Sequence, residues 1–125
     1  MRQWRALVVD DSPVIRELVT AALSEVPGGT CVEACDGAEG IQRLTQQAFD
    51  IVFTDLNMPV LNGLALVTYI RQQPGTRSLP VVVVTTESAN EDRRRLLAAG
   101  ANAYVNKPIR ADALQAQLRT LLRLE

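Results

Sequence analysis

Five short apolar runs alternate along the chain with segments in which apolar residues recur every three or four positions. The runs cover residues 6–10, 30–35, 50–55, 80–86 and 103–106. Apolar runs separated by helical patterns are typical of a parallel sheet that is covered by helices on both faces. The pattern therefore predicts a doubly wound α/β domain with five strands and five helices.

Three of the predicted helices have clear start or stop signals. Ser12 can cap the first helix, with Pro13 at its first position, and the third helix follows Asn62. Asn90 is suited to the start of the fourth helix, and Gly100 to its end.

The apolar runs differ in a way that predicts the order of the strands. Residues 7–9, 51–53 and 81–84 are continuously apolar, as in strands that are buried on both faces. Glu33 interrupts the second run, and the fifth run is short. Placing these two runs at the edges gives the order 2-1-3-4-5, which is that of flavodoxin-like folds.

Composition limits the kinds of function that the chain can have. A length of 125 residues with 47% hydrophobic residues fits one domain, over residues 1–125, with a substantial core. The net charge of -1 leaves no broad basic surface for nucleic acid or an anionic membrane. No run approaches the roughly 18 apolar residues of a membrane span. We therefore expect a cytoplasmic protein whose function depends on a local site.

The chain contains no histidine. This excludes a Ser-His-Asp or Cys-His nucleophile, a histidine-ligated metal and a phosphohistidine carried by the chain itself. Cys31 and Cys35 are separated by about 13 Å in an extended strand, too far for a disulfide, and are expected to be reduced. Carboxylate, hydroxyl and lysine chemistry remain.

Three acidic residues follow strand ends that a doubly wound sheet brings together. Asp10 and Asp11 end the first strand and Asp55 ends the third, and such sheets bind ligands between these two strands. Neighbouring carboxylates repel one another unless a cation neutralises them, and oxygen ligands without His or Cys favour Mg²⁺. A simpler interpretation, in which Asp11 caps a helix and Asp10 is solvated, leaves Asp55 unexplained.

Thr85 and Lys107 close the fourth and fifth strands at the same edge of the predicted sheet. Each alone would be read as an ordinary strand threonine or surface lysine. Beside a metal-bound carboxylate, however, a hydroxyl and an ammonium can hold phosphoryl oxygens, with Asp55 as the nucleophile. The combination predicts a site for phosphoryl transfer.

These motifs resemble those of bacterial response regulator receiver domains over the whole chain. The matching segments are residues 9–13, residues 55–59 with Gly63, residues 84–85 and residues 107–108. The resemblance implies that Asp55 accepts a phosphoryl group from the phosphohistidine of a sensor histidine kinase or of a histidine phosphotransfer protein. The chain itself would then catalyse only its own phosphorylation and dephosphorylation.

The resemblance also implies a role for each remaining site residue. Mg²⁺ would be ligated by Asp11, Asp55 and the backbone carbonyl of Asn57, with Asp10 acting largely through water. Lys107 would pair with the phosphoryl oxygens. Thr85 would form a hydrogen bond with one of those oxygens.

Tyr104 corresponds to the switch aromatic of the family, three residues before the lysine. When Thr85 moves toward the phosphoryl group, such a ring moves inward and couples the site to the face made by the fourth helix, fifth strand and fifth helix. A downstream protein would bind this face, and the chain would be a monomer or a phosphorylation-dependent dimer. The basic run 93–95 on the fourth helix is either a solvated face or a site for an acidic partner.

Asn57 and Glu87 occupy positions that, in this family, tune the attack of water on the acyl phosphate. The pair resembles that of chemotaxis-type receivers, which lose the phosphoryl group relatively quickly. We therefore expect a short-lived phosphorylated state.

Two other functions remain open from the residues. A Mg²⁺-dependent aspartyl-phosphate phosphohydrolase would also use an Asp nucleophile, but Asn57 stands where such enzymes have a second acid, and no cap domain is evident. A flavin or nucleotide module is disfavoured by the acids and by the absence of a Gly-rich first loop. With no output domain in the sequence, we expect a stand-alone regulator or the receiver of a longer protein.

Overall fold

The structure, a computed structural model, describes residues 2–86 and 90–124, and of residues 90–92 it describes only the backbone. Within these residues, five strands alternate strictly with five helices. The strands are β1 Trp4–Val9, β2 Gly29–Ala34, β3 Ile51–Thr54, β4 Val81–Thr85 and β5 Ala103–Asn106. The helices are α1 Pro13–Ser24, α2 Gly37–Gln46, α3 Gly63–Gln72, α4 Asn90–Ala99 and α5 Ala111–Leu122.

The strands form one parallel sheet in the order β2-β1-β3-β4-β5. This confirms the predicted doubly wound, flavodoxin-like architecture, with β2 and β5 at the edges. In the pairing of β1 with β3, Val9 lies opposite Thr54. The residues that follow these two positions, Asp10 and Asp55, therefore leave the sheet side by side.

A hydrophobic cluster covers each face of the sheet, because successive strand side chains point to opposite faces. Val8 and Phe53 pack toward α1 and α5, whereas Leu7 and Val52 pack toward α2, α3 and α4. Both sets of side chains are at most 1% exposed. Burial on both faces explains why the central strands are continuously apolar in the sequence.

Side-chain caps are observed at the starts of α1, α2 and α3, whereas Arg110 before α5 forms no such hydrogen bond. The Ser12 hydroxyl accepts a hydrogen bond from the N–H of Ile15, and the side chain of Asn62 accepts one from Ala65, as predicted. Asp36 caps α2 in the same way, a cap that was not predicted. Asn90 is the first residue of α4, and Gly100 follows its end with a φ of 116°, in the region that favours glycine.

The end of the sheet opposite the carboxyl edge is closed by Trp4, which belongs to β1 itself and is 3% exposed. The apolar pattern placed the first run at residues 6–10, so β1 begins two residues earlier than predicted. Gly29 pairs with Trp4 across β1 and β2, and a Cβ on Gly29 would lie 1.9 Å from the indole ring, so glycine is required there. Cys31 and Cys35 are both free thiols, as expected.

In the part of the chain that the structure describes, none of the helices combines the length and the apolar character that a membrane crossing demands.

Arg71, near the end of α3, forms hydrogen bonds with the segment before β4 and with the segment between α4 and β5. Its guanidinium donates to the carbonyl oxygens of Gly100 at 2.9 Å and Leu79 at 2.7 Å, and to Oδ1 of Asn102 at 2.8 Å. The same Asn102 oxygen accepts from the N–H of Val81 at 2.8 Å. One side chain therefore ties α3 to the end of α4 and to the start of β4.

We predict that Arg71→Met lowers the free energy of unfolding by about 2–3 kcal/mol, because several acceptors lose a charged donor. Urea denaturation followed by the fluorescence of Trp4, the one tryptophan of the sequence, measures the change. Arg77→Met is the matched control, because the Arg77 side chain is exposed. Equal effects of the two substitutions would contradict the role of Arg71.

Candidate functional site

Three carboxylates meet at the carboxyl ends of β1 and β3. One carboxylate oxygen from each of Asp10, Asp11 and Asp55 lies within 4.8 Å of the others. Asp10 and Asp55 are buried, at 3% and 7% exposure, whereas Asp11 is exposed. The predicted convergence of acids from two distant segments is therefore observed.

Hydrogen bonds of the sheet continue into these residues and hold their backbone. The N–H of Asp55 donates to the carbonyl oxygen of Val9 at 2.9 Å, and the N–H of Asp10 donates to that of Ala34 at 3.1 Å. A Cβ on Gly63 would lie 2.2 Å from the carbonyl oxygen of Asp55, so only glycine allows α3 to begin this close to the acid. The site is built on rigid elements rather than on a long loop.

Lys107 reaches the acids from the far edge of the sheet. Its Nζ is 3.1 Å from Oδ2 of Asp10 and 3.4 Å from Oδ1 of Asp55. The N–H of Lys107 donates to the carbonyl oxygen of Thr85 at 2.9 Å, so the pairing of β4 with β5 continues up to this residue. The lysine therefore bridges the ends of the first and third strands.

Burial and the neighbouring Asp10 carboxylate raise the pKa of Asp55 above its ordinary value. Lys107 and the N–H of Leu56, which donates to Oδ1 of Asp55 at 2.8 Å, oppose this effect. The rise means that the remaining repulsion and desolvation outweigh the favourable contacts. A further cation at the site would relieve both.

The donor set fits a hard divalent cation. Asp10, Asp11 and Asp55 offer carboxylate oxygens only, without a sulfur or imidazole ligand, and such sites suit Mg²⁺, Mn²⁺ or Ca²⁺. The side chain of Asn57 is exposed in the loop between β3 and α3, two residues after Asp55. This position keeps its backbone near the carboxylates.

Thr85 and Tyr104 lie on the same face of the sheet. Tyr104 is opposite Val83 in the β4–β5 pairing, and Thr85 is two residues beyond Val83. Thr85 is fully buried, and the hydroxyl oxygen of Tyr104 is also buried. The guanidinium carbon of Arg93 on α4 lies 5.6 Å from the centre of the Tyr104 ring. The tyrosine therefore connects the strand that carries Thr85 to α4.

The remaining predicted position, Glu87, lies outside the described residues. Arg16 on α1 was missed by sequence reasoning, although its guanidinium donates to the carbonyl oxygen of Asp10 at 2.6 Å and to Glu33 at 2.9 Å. A signal was available, since an acidic residue that interrupts an apolar strand needs water or a cationic partner.

Val60, in the loop between β3 and α3, was also missed. It has a φ of 69°, and the N–H of Leu61 donates to the carbonyl oxygen of Pro59 at 2.7 Å across it. Its side chain is 80% exposed. A β-branched residue in this left-handed region is strained, because Cβ crowds the backbone.

Comparison with known proteins gives a consistent result. The model of the family described as response regulator receiver domain matches residues 6–119. Sensor histidine kinase RcsC of Salmonella typhi is 40% identical over 112 residues, which are 90% of this chain and 12% of that protein. The chain spans 12% to 14% of the length of the curated relatives it matches.

Two solved structures are similar over almost their whole length. Chemotaxis protein CheY4 of Vibrio cholerae has 31% identity and a TM-score of 0.90, with 97% of this chain and 100% of that chain covered. The receiver domain of a sensor histidine kinase from Pseudomonas aeruginosa has 29% identity and a TM-score of 0.87, with 98% and 99% covered. That receiver holds a magnesium ion in its active site cleft.

We predict that Asp55→Asn raises the free energy of unfolding of the metal-free protein at neutral pH by about 1 kcal/mol, since it removes a desolvated and repelled charge. A raised folded pKa means that stability falls as pH rises between the ordinary carboxyl pKa and the folded pKa. The advantage of the variant is therefore present above that interval and vanishes below it.

Urea denaturation with a chelator present, at neutral and at acid pH, measures this difference. Asp50→Asn is the matched control, because Asp50 lies just before the other end of β3 and its Oδ2 accepts from the N–H of Arg5. An advantage of the Asp55 variant that persists at acid pH would show that charge is not its cause.

Proposed function

The chain belongs to the family of response regulator receiver domains, which are signalling domains of two-component systems. We propose that Asp55 of this domain accepts a phosphoryl group. One observation carries this proposal. The buried carboxylate of Asp55 lies within 4.8 Å of two further carboxylates and 3.4 Å from the ammonium of Lys107. Carboxylates and an ammonium around one nucleophilic oxygen suit phosphoryl transfer.

In the proposed reaction, an Asp55 carboxylate oxygen attacks the phosphorus of a phosphohistidine on a partner protein. The P–N bond breaks as the O–P bond forms, the electron pair stays on the imidazole nitrogen, and an aspartyl phosphate results. Lys107, already 3.4 Å from Oδ1 of Asp55, would balance the charge of the phosphoryl oxygens. Because residues 1–125 contain no histidine, the donor imidazole lies outside them, and a sensor kinase or a histidine phosphotransfer protein is the proposed source.

Bound Mg²⁺ would neutralise phosphoryl and carboxylate oxygens together. Asp11, Asp55 and the backbone carbonyl of Asn57 are the proposed ligands. Both oxygens of Asp10 already have partners, since Oδ1 accepts from the N–H of Ser12 at 2.9 Å and Oδ2 faces Lys107 at 3.1 Å. These partners support a role for Asp10 through water.

The proposed output is a conformational switch. The hydroxyl of Thr85 would move to bond a phosphoryl oxygen, and the ring of Tyr104 would move with it. Since Arg93 lies over that ring, α4 would respond. The new phosphoryl charge has to shift the balance of two states by only a few kcal/mol.

The proposed docking face for a downstream protein consists of α4, β5 and α5. The arginine side chains at positions 93–95 are exposed on α4, which favours a partner with an acidic surface. The chain itself would act as a monomer or as a dimer formed on phosphorylation. We further propose that residues 1–125 form one receiver domain. We also propose that the protein is cytoplasmic, because the reducing cytoplasm suits its two free thiols.

We predict that the protein takes up a phosphoryl group from acetyl phosphate in the presence of Mg²⁺, with acetate as the leaving group, and that Asp55→Asn does not. Intact-protein mass spectrometry detects the added phosphoryl group. Asp50→Asn removes the same charge at the other end of β3, so it should be phosphorylated like the wild type. Equal uptake by the Asp55 and Asp50 variants would refute the proposed acceptor.

We also predict a phosphorylated state that decays within minutes, because the exposed Asn57 side chain leaves a path for water. Asn57→Met should prolong it several-fold by covering that path, while the backbone carbonyl stays in place. The decay is followed after removal of the phosphodonor, with the exposed Gln42→Met as the control. A wild-type phosphoryl group that persists for hours would contradict this tuning, in which Glu87 is the second proposed residue.

A further inference from the structure

Arg16 connects the end of β1 to the edge strand β2. Its Nη1 is 2.6 Å from the backbone carbonyl oxygen of Asp10, and its Nε is 2.9 Å from Oε1 of Glu33. The side chain of Arg16 is only 17% exposed, although Glu33 is 48% exposed. A charge-assisted bond to a carbonyl at the very end of a central strand is suited to fixing that backbone.

The carbonyl that Arg16 holds belongs to the peptide group between Asp10 and Asp11. This group is planar, so an anchored oxygen also holds the N–H and the Cα of Asp11, from which the Asp11 side chain extends. Asp10 has further anchors, since its N–H donates to Ala34 and its carboxylate faces Ser12 and Lys107. Asp11 is the exposed member of the cluster and depends more on this peptide.

We propose that Arg16 is a positioning residue for cation binding, which keeps the Asp11 carboxylate directed toward Asp55 by holding the peptide before it. Glu33 orients the guanidinium and offsets its charge. The inference rests on the proposed function, because it assumes that a divalent cation binds among these carboxylates.

Charge and position act in opposite directions, which makes the inference decidable. A guanidinium repels a nearby cation, so its removal would tighten Mg²⁺ binding if charge alone mattered. Loss of a group that orients a metal ligand weakens binding, typically by 10- to 100-fold. The sign of the change therefore separates the two effects.

The test is a calorimetric titration of the full chain with MgCl₂, without any phosphodonor. Arg16→Ala should bind Mg²⁺ about tenfold more weakly than the wild type. Arg43→Ala is the matched control, because Arg43 donates to the backbone carbonyl of Glu33 at 3.3 Å and pairs with Glu39 on its own helix. It makes the same charge change without a bond to Asp10, so its affinity should equal or slightly exceed that of the wild type.

Phosphorylation by acetyl phosphate supplies a second readout. If Arg16 acts by positioning, the phosphorylation rate of Arg16→Ala should equal that of the wild type at saturating Mg²⁺, because Asp55 and Lys107 are unchanged. Unchanged or tighter Mg²⁺ binding by Arg16→Ala overturns the inference. If the wild type itself binds no Mg²⁺, the proposed function fails and the role of Arg16 in cation binding fails with it, whereas loss of the Arg16 effect alone leaves the proposed function intact.

A second pair of variants covers the case in which Arg16→Ala does not fold. Glu33→Gln and Glu33→Ala remove the same charge, but only glutamine keeps an acceptor for the guanidinium. Weaker Mg²⁺ binding by Glu33→Ala than by Glu33→Gln supports positioning. Equal affinities of the two variants overturn it.

Discussion

The ammonium of Lys107, held against Asp10 and Asp55, is the interaction on which the organisation of this site depends. Without it, two buried carboxylates would face each other at the end of the sheet, and repulsion would favour protonation or opening of the loops. With Lys107 present, the two acids remain close, and the end of the edge strand β5 becomes part of the site. The pKa of Asp55 is nevertheless raised, so the lysine compensates the repulsion only in part. A bound divalent cation would offset the repulsion that remains.

The same residues show that the core and the site cannot be separated. Asp10 and Asp55 are neighbours because Val9 and Thr54 are paired, and that register is fixed by apolar side chains packed on both faces. A slip of one residue in β3 would turn Phe53 to the other face and move the Asp55 carboxylate out of reach of Lys107. Packing therefore sets the geometry of the chemistry, and Gly63 allows α3 to close over the result.

The sequence was sufficient for whatever depends on short-range pattern and on the rules of parallel sheets. The continuous apolar runs predicted the central strands, and the strand ends predicted that Asp10, Asp11, Asp55 and Lys107 would meet. Glu33 signalled a need for water or a cationic partner, but that this partner is Arg16 could not be predicted, because the contact depends on how α1 lies against β2. The left-handed φ of Val60 also escaped prediction, since valine is poorly suited to it. The start of β1 was predicted two residues too late, because the exposed Arg5 interrupts the apolar pattern after Trp4.

The turn at Val60 has a consequence for the order of the whole loop. Residues on either side are anchored, since the N–H of Gly63 donates to Leu56 and the N–H of Gly37 donates to Leu61. The strained backbone conformation of Val60 persists only while both hydrogen bonds hold the loop. If either anchor opened, the loop would relax away from the sheet and would take the backbone of Asn57 with it. Opening of either anchor would therefore loosen Asn57 and the proposed cation site together.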